Sequence, residues 1–329
     1  MDEFSFIKYI YSHFDSISKN AYGDDAAFIK IAPDRYLAIT KDVLVEDVHF
    51  SLKLSDARSV GRKALACNLS DLAACTAKPL YFLLGISFPH GKKKAVNEIV
   101  KGMSEYADMS DIKLIGGDTT ASTKNIFISI TAVGSVNKPA MRGTARFDDY
   151  VYLTDYTGYS SLGLHFLKTK LAVPNKKIMR IIKKCKNIHQ VPVPPVEISQ
   201  YLSKKYTISS MIDISDGLSS ELYHLKEMNK KKHIGFAIDY QALFSPELVT
   251  LQKYIKRNRA EKRFNIDKYV LHGGEDYVLL FTSPDNIKMK NIIHIGTVTY
   301  ENSICITKDK TSKTLKREGF DHFKNGKYV

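Results

Sequence analysis

The chain has 329 residues, 44% hydrophobic and 26% charged, which leaves room for two domains and a sizeable core and excludes wholesale disorder. Its most apolar run, Pro79 to Phe88, is too short for a membrane-spanning helix and suits a buried strand. The formal charge of +14 lies in scattered lysine-dominated runs (Lys92–Lys94, Lys176–Arg180, Lys183–Lys186, Lys230–Lys232, Lys253–Arg263) with no interleaved aromatics. Such runs read as solvated faces that can attract an anionic small substrate, not as a nucleic-acid platform.

Tyr36–Val45, Tyr81–Ser87 and Ile126–Val136 have the β-branched, alternating pattern of strands. Between the first two, Asp56–Ala77 places Val60, Ala64, Leu65, Leu69, Leu72 and Ala73 on one helical face. Lys94–Met109 is a more polar helix, and Ile112–Ile115 a short strand leading to Gly116-Gly117. A turn-rich loop over Asn137–Asp149 precedes a strand at Tyr150–Thr154, which puts the division at 1–140 and 141–329. Beyond it, Gly163–Leu171 and Ile178–Cys185 read as helices, and Pro195 opens another through Leu202. Ser209–Ile214 reads as a strand, followed by a helix whose one face carries Leu218, Leu222, Leu225 and Met228. Phe236–Ile238, Tyr277–Phe281, Ile292–Val298 and Cys305–Thr307 complete the strands. The fold class is mixed α/β in two domains.

The chain opens on Asp2 and Glu3, without the pattern of a secretory signal. Cys67, Cys75, Cys185 and Cys305 form no CxxC and read as reduced thiols, so the expected location is cytoplasmic, with no membrane or nucleic-acid partner. There is no P-loop, no GxGxxG after a strand, no kinase HRD or DFG set, no zinc spacing and no GxSxG elbow.

What recurs is aspartate beside turns and element ends: Gly23-Asp24-Asp25, Thr40-Lys41-Asp42, Asn68-Leu69-Ser70-Asp71, Gly116-Gly117-Asp118 and Asp213-Ile214-Ser215-Asp216-Gly217. Aspartate holds its oxygens close to the backbone, which suits octahedral Mg²⁺ with several waters retained. Thr40 and Asp42 are two apart on a strand and face one side, with Lys41 on the other. Asn68 and Asp71 share a helical face. Each piece also has a local reading: Ser215 or Asp216 as a helix cap, Gly23-Asp24-Asp25 as a turn, Asp71 as an exposed helix residue. A multi-metal, phosphate-handling site explains all five together.

These segments, read as Gly-Asp-Asp-Ala-Ala (23–27), Thr-Lys-Asp-Val-Leu-Val-Glu-Asp-Val-His-Phe (40–50), Lys-Ala-Leu-Ala-Cys-Asn-Leu-Ser-Asp-Leu-Ala-Ala (63–74), Leu-Ile-Gly-Gly-Asp-Thr-Thr (114–120), Met-Ile-Asp-Ile-Ser-Asp-Gly-Leu (211–218) and Gly-Gly-Glu-Asp-Tyr (273–277), resemble the thiamine-monophosphate kinase family in order and spacing. Gly319-Phe320-Asp321-His322-Phe323 resembles that family's C-terminal ending. The resemblance implies the aminoimidazole-ribonucleotide-synthetase-like architecture: an N-terminal dimerising, ATP-binding domain and a C-terminal α/β domain, homodimeric. It further implies that ATP and thiamine monophosphate give ADP and thiamine diphosphate, with several Mg²⁺ ions. Carried over by position, Asp25, Thr40, Lys41, Asp42, Asp71, Asp118, Asp213 and Asp216 correspond to metal ligands. Gly117, Asp118, Arg142 and Ser215 correspond to ATP contacts, and His49, Glu275 and Phe320 to thiamine monophosphate contacts. Asp42, Asp71, Asp118 and Arg142 are the expected catalytic group.

The chain departs from the family pattern at Lys41, where a second small hydroxyl residue is usual, and at Asp155, where glycine is expected. Two rival readings are another ATP-dependent member of the superfamily and a non-catalytic nucleotide- or nucleic-acid-binding protein. The first cysteine, Cys67, lies inside a helix, unlike the N-terminal reactive residue of a selenide enzyme. A hydrogenase-maturation relative would want a C-terminal cysteine, and this chain ends Lys327-Tyr328-Val329. A non-catalytic protein would have lost the aspartate motifs, which are kept.

Overall fold

The computed structural model describes residues 3–14, 23–169, 175–229, 232–257, 264–320 and 322–323. They fall in two compact units, residues 1–139 with 320–329, and residues 140–319.

In unit 1, a short helix α1 (Glu3–Tyr11) precedes β1 (Ala27–Ala32) and β2 (Arg35–Val45), then α2 (Ala57–Ala74), β3 (Lys78–Phe88), α3 (Lys93–Met109), β4 (Lys113–Ala121) and β5 (Phe127–Val136). The five strands run in the order β1-β2-β5-β3-β4, antiparallel except for the β3/β4 pair. Asp56 starts α2 as its N-cap, its carboxylate taking the Ser59 N–H and hydroxyl at 3.0 and 2.6 Å. Ala38, Leu44, Phe82, Ile86, Ile128, Ile130 and Ala132 form one face of the sheet, buried with Ala64, Leu65, Leu69 and Leu72 of α2.

The other face is open. Ile29, Val43, Tyr81, Leu83 and Phe127 share it and are 40–51% exposed. Pro79–Phe88 is therefore buried on one face only, not the buried strand its apolarity suggests, because among the described residues helices cover one side of this sheet. The strand expected at Ile112–Ile115 also continues through Gly116-Gly117 to Ala121, since a parallel ladder to β3 carries it on.

Unit 2 runs β6 (Tyr150–Leu153), α4 (Tyr159–Thr169), α5 (Lys176–Gln190), α6 (Val196–Lys205), β7 (Ser210–Asp213), α7 (Leu218–Met228), β8 (Gly235–Asp239), α8 (Pro246–Arg257), α9 (Ile266–His272), β9 (Leu279–Ser283), β10 (Ile293–Thr299), β11 (Ile304–Lys308) and β12 (Thr311–Thr314). Its seven strands are ordered β12-β11-β8-β10-β6-β9-β7. One core, including Val151, Leu153, Leu162, Phe166, Ile212, Leu222, Phe236 and Leu280, joins the sheet to its helices. The mixed α/β expectation holds. The strand expected from Tyr277 begins instead at Leu279, because Glu275 and Tyr277 adopt left-handed backbone at φ 64° and 51°. Of the helix expected over 163–171, residues 170 and 171 lie outside the described residues.

Candidate active site

Unit 1 gathers carboxylates beneath the sheet. The β2 alternation turns Thr40 and Asp42 toward α2, and there the Thr40 hydroxyl donates to Asp71 Oδ2. Carboxylate oxygens of Asp25 and Asp71 lie within 4.8 Å of each other. Carboxylate oxygens of Asp24 and Asp25 and Sγ of Cys75, the C-cap of α2, form a second group within the same distance. Asp42 Oδ2 is shut off from solvent with no hydrogen-bond partner among the described residues. Burial raises the Asp42 carboxyl from its ordinary value to about 6. A buried, acceptor-only oxygen on the same face of β2 as Thr40, whose hydroxyl reaches the crowded Asp71, is what a small hard cation requires, so this donor set fits Mg²⁺.

Lys41 points the other way. Its ammonium donates to Ser129 Oγ at 2.7 Å on the open face, so its side chain is no part of this cluster. Asp118 is also elsewhere. It pairs with Gly85, Gly85 with Ser129 and Ser129 with Val43, which puts it on the open face, three strands from β2. At about 4.8 Å per strand, that is about 14 Å sideways. The fold of a single chain therefore does not bring Asp118 to Asp25, Thr40, Asp42 and Asp71. Gly117 precedes it, packed so closely on β3 that an added Cβ would come 2.0 Å from Leu84 O.

His49 follows β2 in a turn in which Asp47 is left-handed, at φ 64°. Its Nδ1 accepts the Val45 N–H at 2.9 Å, which leaves the proton of a neutral ring on Nε2. The ring packs against His322 at 5.0 Å between centroids, and Phe320 meets His322 edge-on at 4.9 Å. Two expected substrate contacts thus flank one histidine that the sequence reading passed over, and only its place in the C-terminal ending pointed to it.

In unit 2, Asp213 ends β7 fully buried, and Ser215 and Asp216 follow, half-buried, ahead of α7. Neither caps that helix. The N-cap is Gly217, without a side-chain bond, and Glu221 instead accepts the Asp216 N–H at 3.0 Å. Burial, with Asp216 and then Asp213 nearby, pushes the Glu221 carboxyl well above its usual range, and the Arg142 guanidinium opposes the rise. Arg142 is anchored through its backbone carbonyl, which accepts Ser210 Oγ at 2.8 Å and Asn229 Nδ2 at 3.0 Å. Burial, and secondarily the charges of Arg142 and Arg317, lower His224 to about 3 and so keep it neutral. Arg142 thus brings a fixed cation to a group that includes Asp213, Asp216 and Glu221.

Glu275 and its neighbours are tied to this loop. The Glu275 N–H donates to Ser215 O at 2.7 Å and the Tyr277 N–H to Ile214 O at 2.9 Å. Gly274 lies so close that an added Cβ would sit 2.3 Å from Ser215 O. Asp276 is buried and accepts the backbone N–H groups of Gly158 and Ser160 at the start of α4. Burial raises its carboxyl to about 7 despite both donors. Asp276 stands in the Gly-Gly-Glu-Asp-Tyr motif, yet only its neighbour Glu275 was singled out from the sequence.

Residues 23–136 match the family model for the N-terminal domain of AIR synthase related protein. Thiamine-monophosphate kinase of Buchnera aphidicola subsp. Schizaphis graminum is 33% identical, over 98% of this chain and 99% of that protein. The Bacillus subtilis enzyme of the same name is 29% identical over 98% and 100%. The solved structure of AaThiL complexed with AMPPCP and TMP matches with a TM-score of 0.83 at 28% identity, covering 98% of this chain and 97% of that one. With ordered motifs, the two-sheet fold and full-length identity pointing one way, the chain belongs to the thiamine-monophosphate kinase family.

Proposed function

We propose that this protein transfers the γ-phosphoryl group of ATP directly to the phosphate of thiamine monophosphate, giving thiamine diphosphate and ADP. Full-length identity to thiamine-monophosphate kinases, with every aspartate motif kept, carries the reading. The acceptor is already a phosphate oxygen, largely ionised near neutral pH, so no strong general base is needed. Two anions must instead be brought together. At 4 Å their repulsion is about 4 kcal/mol per unit-charge pair at an effective dielectric of 20.

Arg142 brings one counter-charge, and the carboxylates hold the cations that would bring the rest. In this reading Asp25, Thr40, Asp42 and Asp71 of unit 1 and Asp213 and Asp216 of unit 2 hold Mg²⁺, Asp118 does so from the open sheet face, apart from the Asp71 group, and Lys41 can offer only its backbone carbonyl. Bound Mg²⁺ supplies neutralisation of the spreading phosphate charge. Arg142, Ser215, Gly117 and Asp118 take ATP; His49, Glu275 and Phe320 take thiamine monophosphate. The aspartates do not act as nucleophiles, so no phospho-enzyme forms.

The open sheet face fits a second copy of unit 1, because its exposed apolar residues and the edge strand β4 would otherwise face water. We read the working enzyme as a homodimer acting in the cytoplasm.

The direct test is product analysis of purified protein with ATP, Mg²⁺ and thiamine monophosphate. Thiamine diphosphate and ADP should form in equal amounts without free phosphate, and chelation should stop turnover reversibly. ADP and phosphate without thiamine diphosphate would assign the chain a different acceptor. His49→Ala should raise KM for thiamine monophosphate about tenfold with KM for ATP little changed. A selective loss of ATP affinity would show that His49 serves the other substrate.

A further inference from the structure

His189 reads in the sequence as one of several isolated histidines, and the fold gives it a particular neighbour. It lies in the last turn of α5 with its side chain only 4% exposed. Its Nδ1 sits 3.1 Å from Ser160 Oγ and 3.4 Å from Glu275 Oε2. Ser160 is itself fully buried and donates its backbone N–H to Asp276 at 2.8 Å. Side chains and one backbone N–H thus link Asp276, Ser160, His189 and Glu275 in a row beside the start of α4.

The two ends of the row differ. Asp276 is buried, whereas the Glu275 side chain is 27% exposed, so the carboxylate at the outer end can meet a ligand while its anchors cannot. Glu275 is also held in left-handed backbone at φ 64°, a conformation that strains a non-glycine residue and persists only where the surroundings enforce it. Here they do so twice, through the backbone bond to Ser215 O and through the His189 ring.

We propose that His189 is a positioning residue which, together with Ser160, fixes the Glu275 carboxylate in one orientation for thiamine monophosphate. This rests on the reading of Glu275 as a substrate contact. In the tautomer that carries its proton on Nδ1, the ring faces both the Ser160 hydroxyl and the Glu275 carboxylate and removes much of the rotamer freedom that a glutamate otherwise loses on binding. A carboxylate fixed before the ligand arrives suits a substrate that carries a permanent cation, the thiazolium ring.

The test is steady-state kinetics on the full chain for the wild type, His189→Leu, His189→Gln, Glu275→Gln and the double variant His189→Leu/Glu275→Gln. His189→Leu should raise KM for thiamine monophosphate about tenfold, with KM for ATP within about twofold of wild type. His189→Gln, which keeps a donor, should recover most of that loss. In the Glu275→Gln background His189→Leu should add nothing, because the imidazole acts through that carboxylate. Additive losses in the double variant, equal rises in both KM values, or no change would each overturn the role. If His189→Leu fails to fold, Ser160→Ala carries the same test, with a smaller rise that also vanishes in the Glu275→Gln background. A wild type that makes no thiamine diphosphate would overturn the functional reading itself, whereas an active wild type with unaltered His189 variants would overturn only the positioning role.

Discussion

Asp71→Asn is expected to cut kcat at least about a hundredfold to a thousandfold and to leave the thermal midpoint at or slightly above that of the wild type. Asp71 accepts the Thr40 hydroxyl and shares its immediate surroundings with Asp25. An asparagine there keeps the shape and can still accept from Thr40, so the packing of α2 on the sheet is undisturbed. It removes one negative charge from a crowded group, which relieves repulsion in the absence of a cation. The loss should therefore fall on turnover alone, read by a coupled ADP assay beside a melting curve. Near-normal turnover would remove Asp71 from the working site. A large fall in midpoint would mean that its charge supports the fold.

Gly274→Ala is expected to damage both substrate functions at once. Its Cβ would lie 2.3 Å from Ser215 O and 3.2 Å from Asp216 Cα, and backbone cannot swing aside as a long side chain can. Either the Glu275 loop or the Ser215–Asp216 loop must shift, breaking the bonds from the Glu275 and Tyr277 N–H groups. Overpacking of this kind costs about 1–3 kcal/mol, a fall of several degrees in midpoint for a unit of this size. KM should rise for ATP through Ser215 and for thiamine monophosphate through Glu275. Gly91→Ala is the control, since nothing lies within 4 Å of a Cβ there, and it should be silent in both readouts. A rise confined to one substrate would show that the two loops move independently.

Much of unit 1 was legible because its alternation is strict. β2, β3 and β5 begin and end within a few residues of the expected spans, and the two-residue period of β2 already separates Lys41 from Thr40 and Asp42. The exposure of Tyr81 and Leu83 was not legible, since an apolar strand reads the same whether its second face meets a helix or is left open. The separation of Asp118 from Asp42 was hidden for a related reason: strand order places it three strands away, and strand order is not written in local pattern. In unit 2 the motifs marked the loops, but the buried groups behind them were silent. Glu221, His224 and Asp276 are ordinary letters until the fold removes their water and brings Arg142 or the start of α4 beside them.

The C-terminal ending has a consequence for the order of events during synthesis. Phe320, His322 and Phe323 cluster with the unit that contains the chain's beginning, where His322 meets His49 and Phe323 meets Phe6. Residues 140–319 are made between these two sets of partners, so the first unit can bury its core early yet completes the contacts around His49 only after the second unit has been made. Its last aromatic contacts stay undocked until Phe320, His322 and Phe323 have been made. A released chain that stops at Gly319 should hold a folded second unit, while the first still lacks one wall around His49.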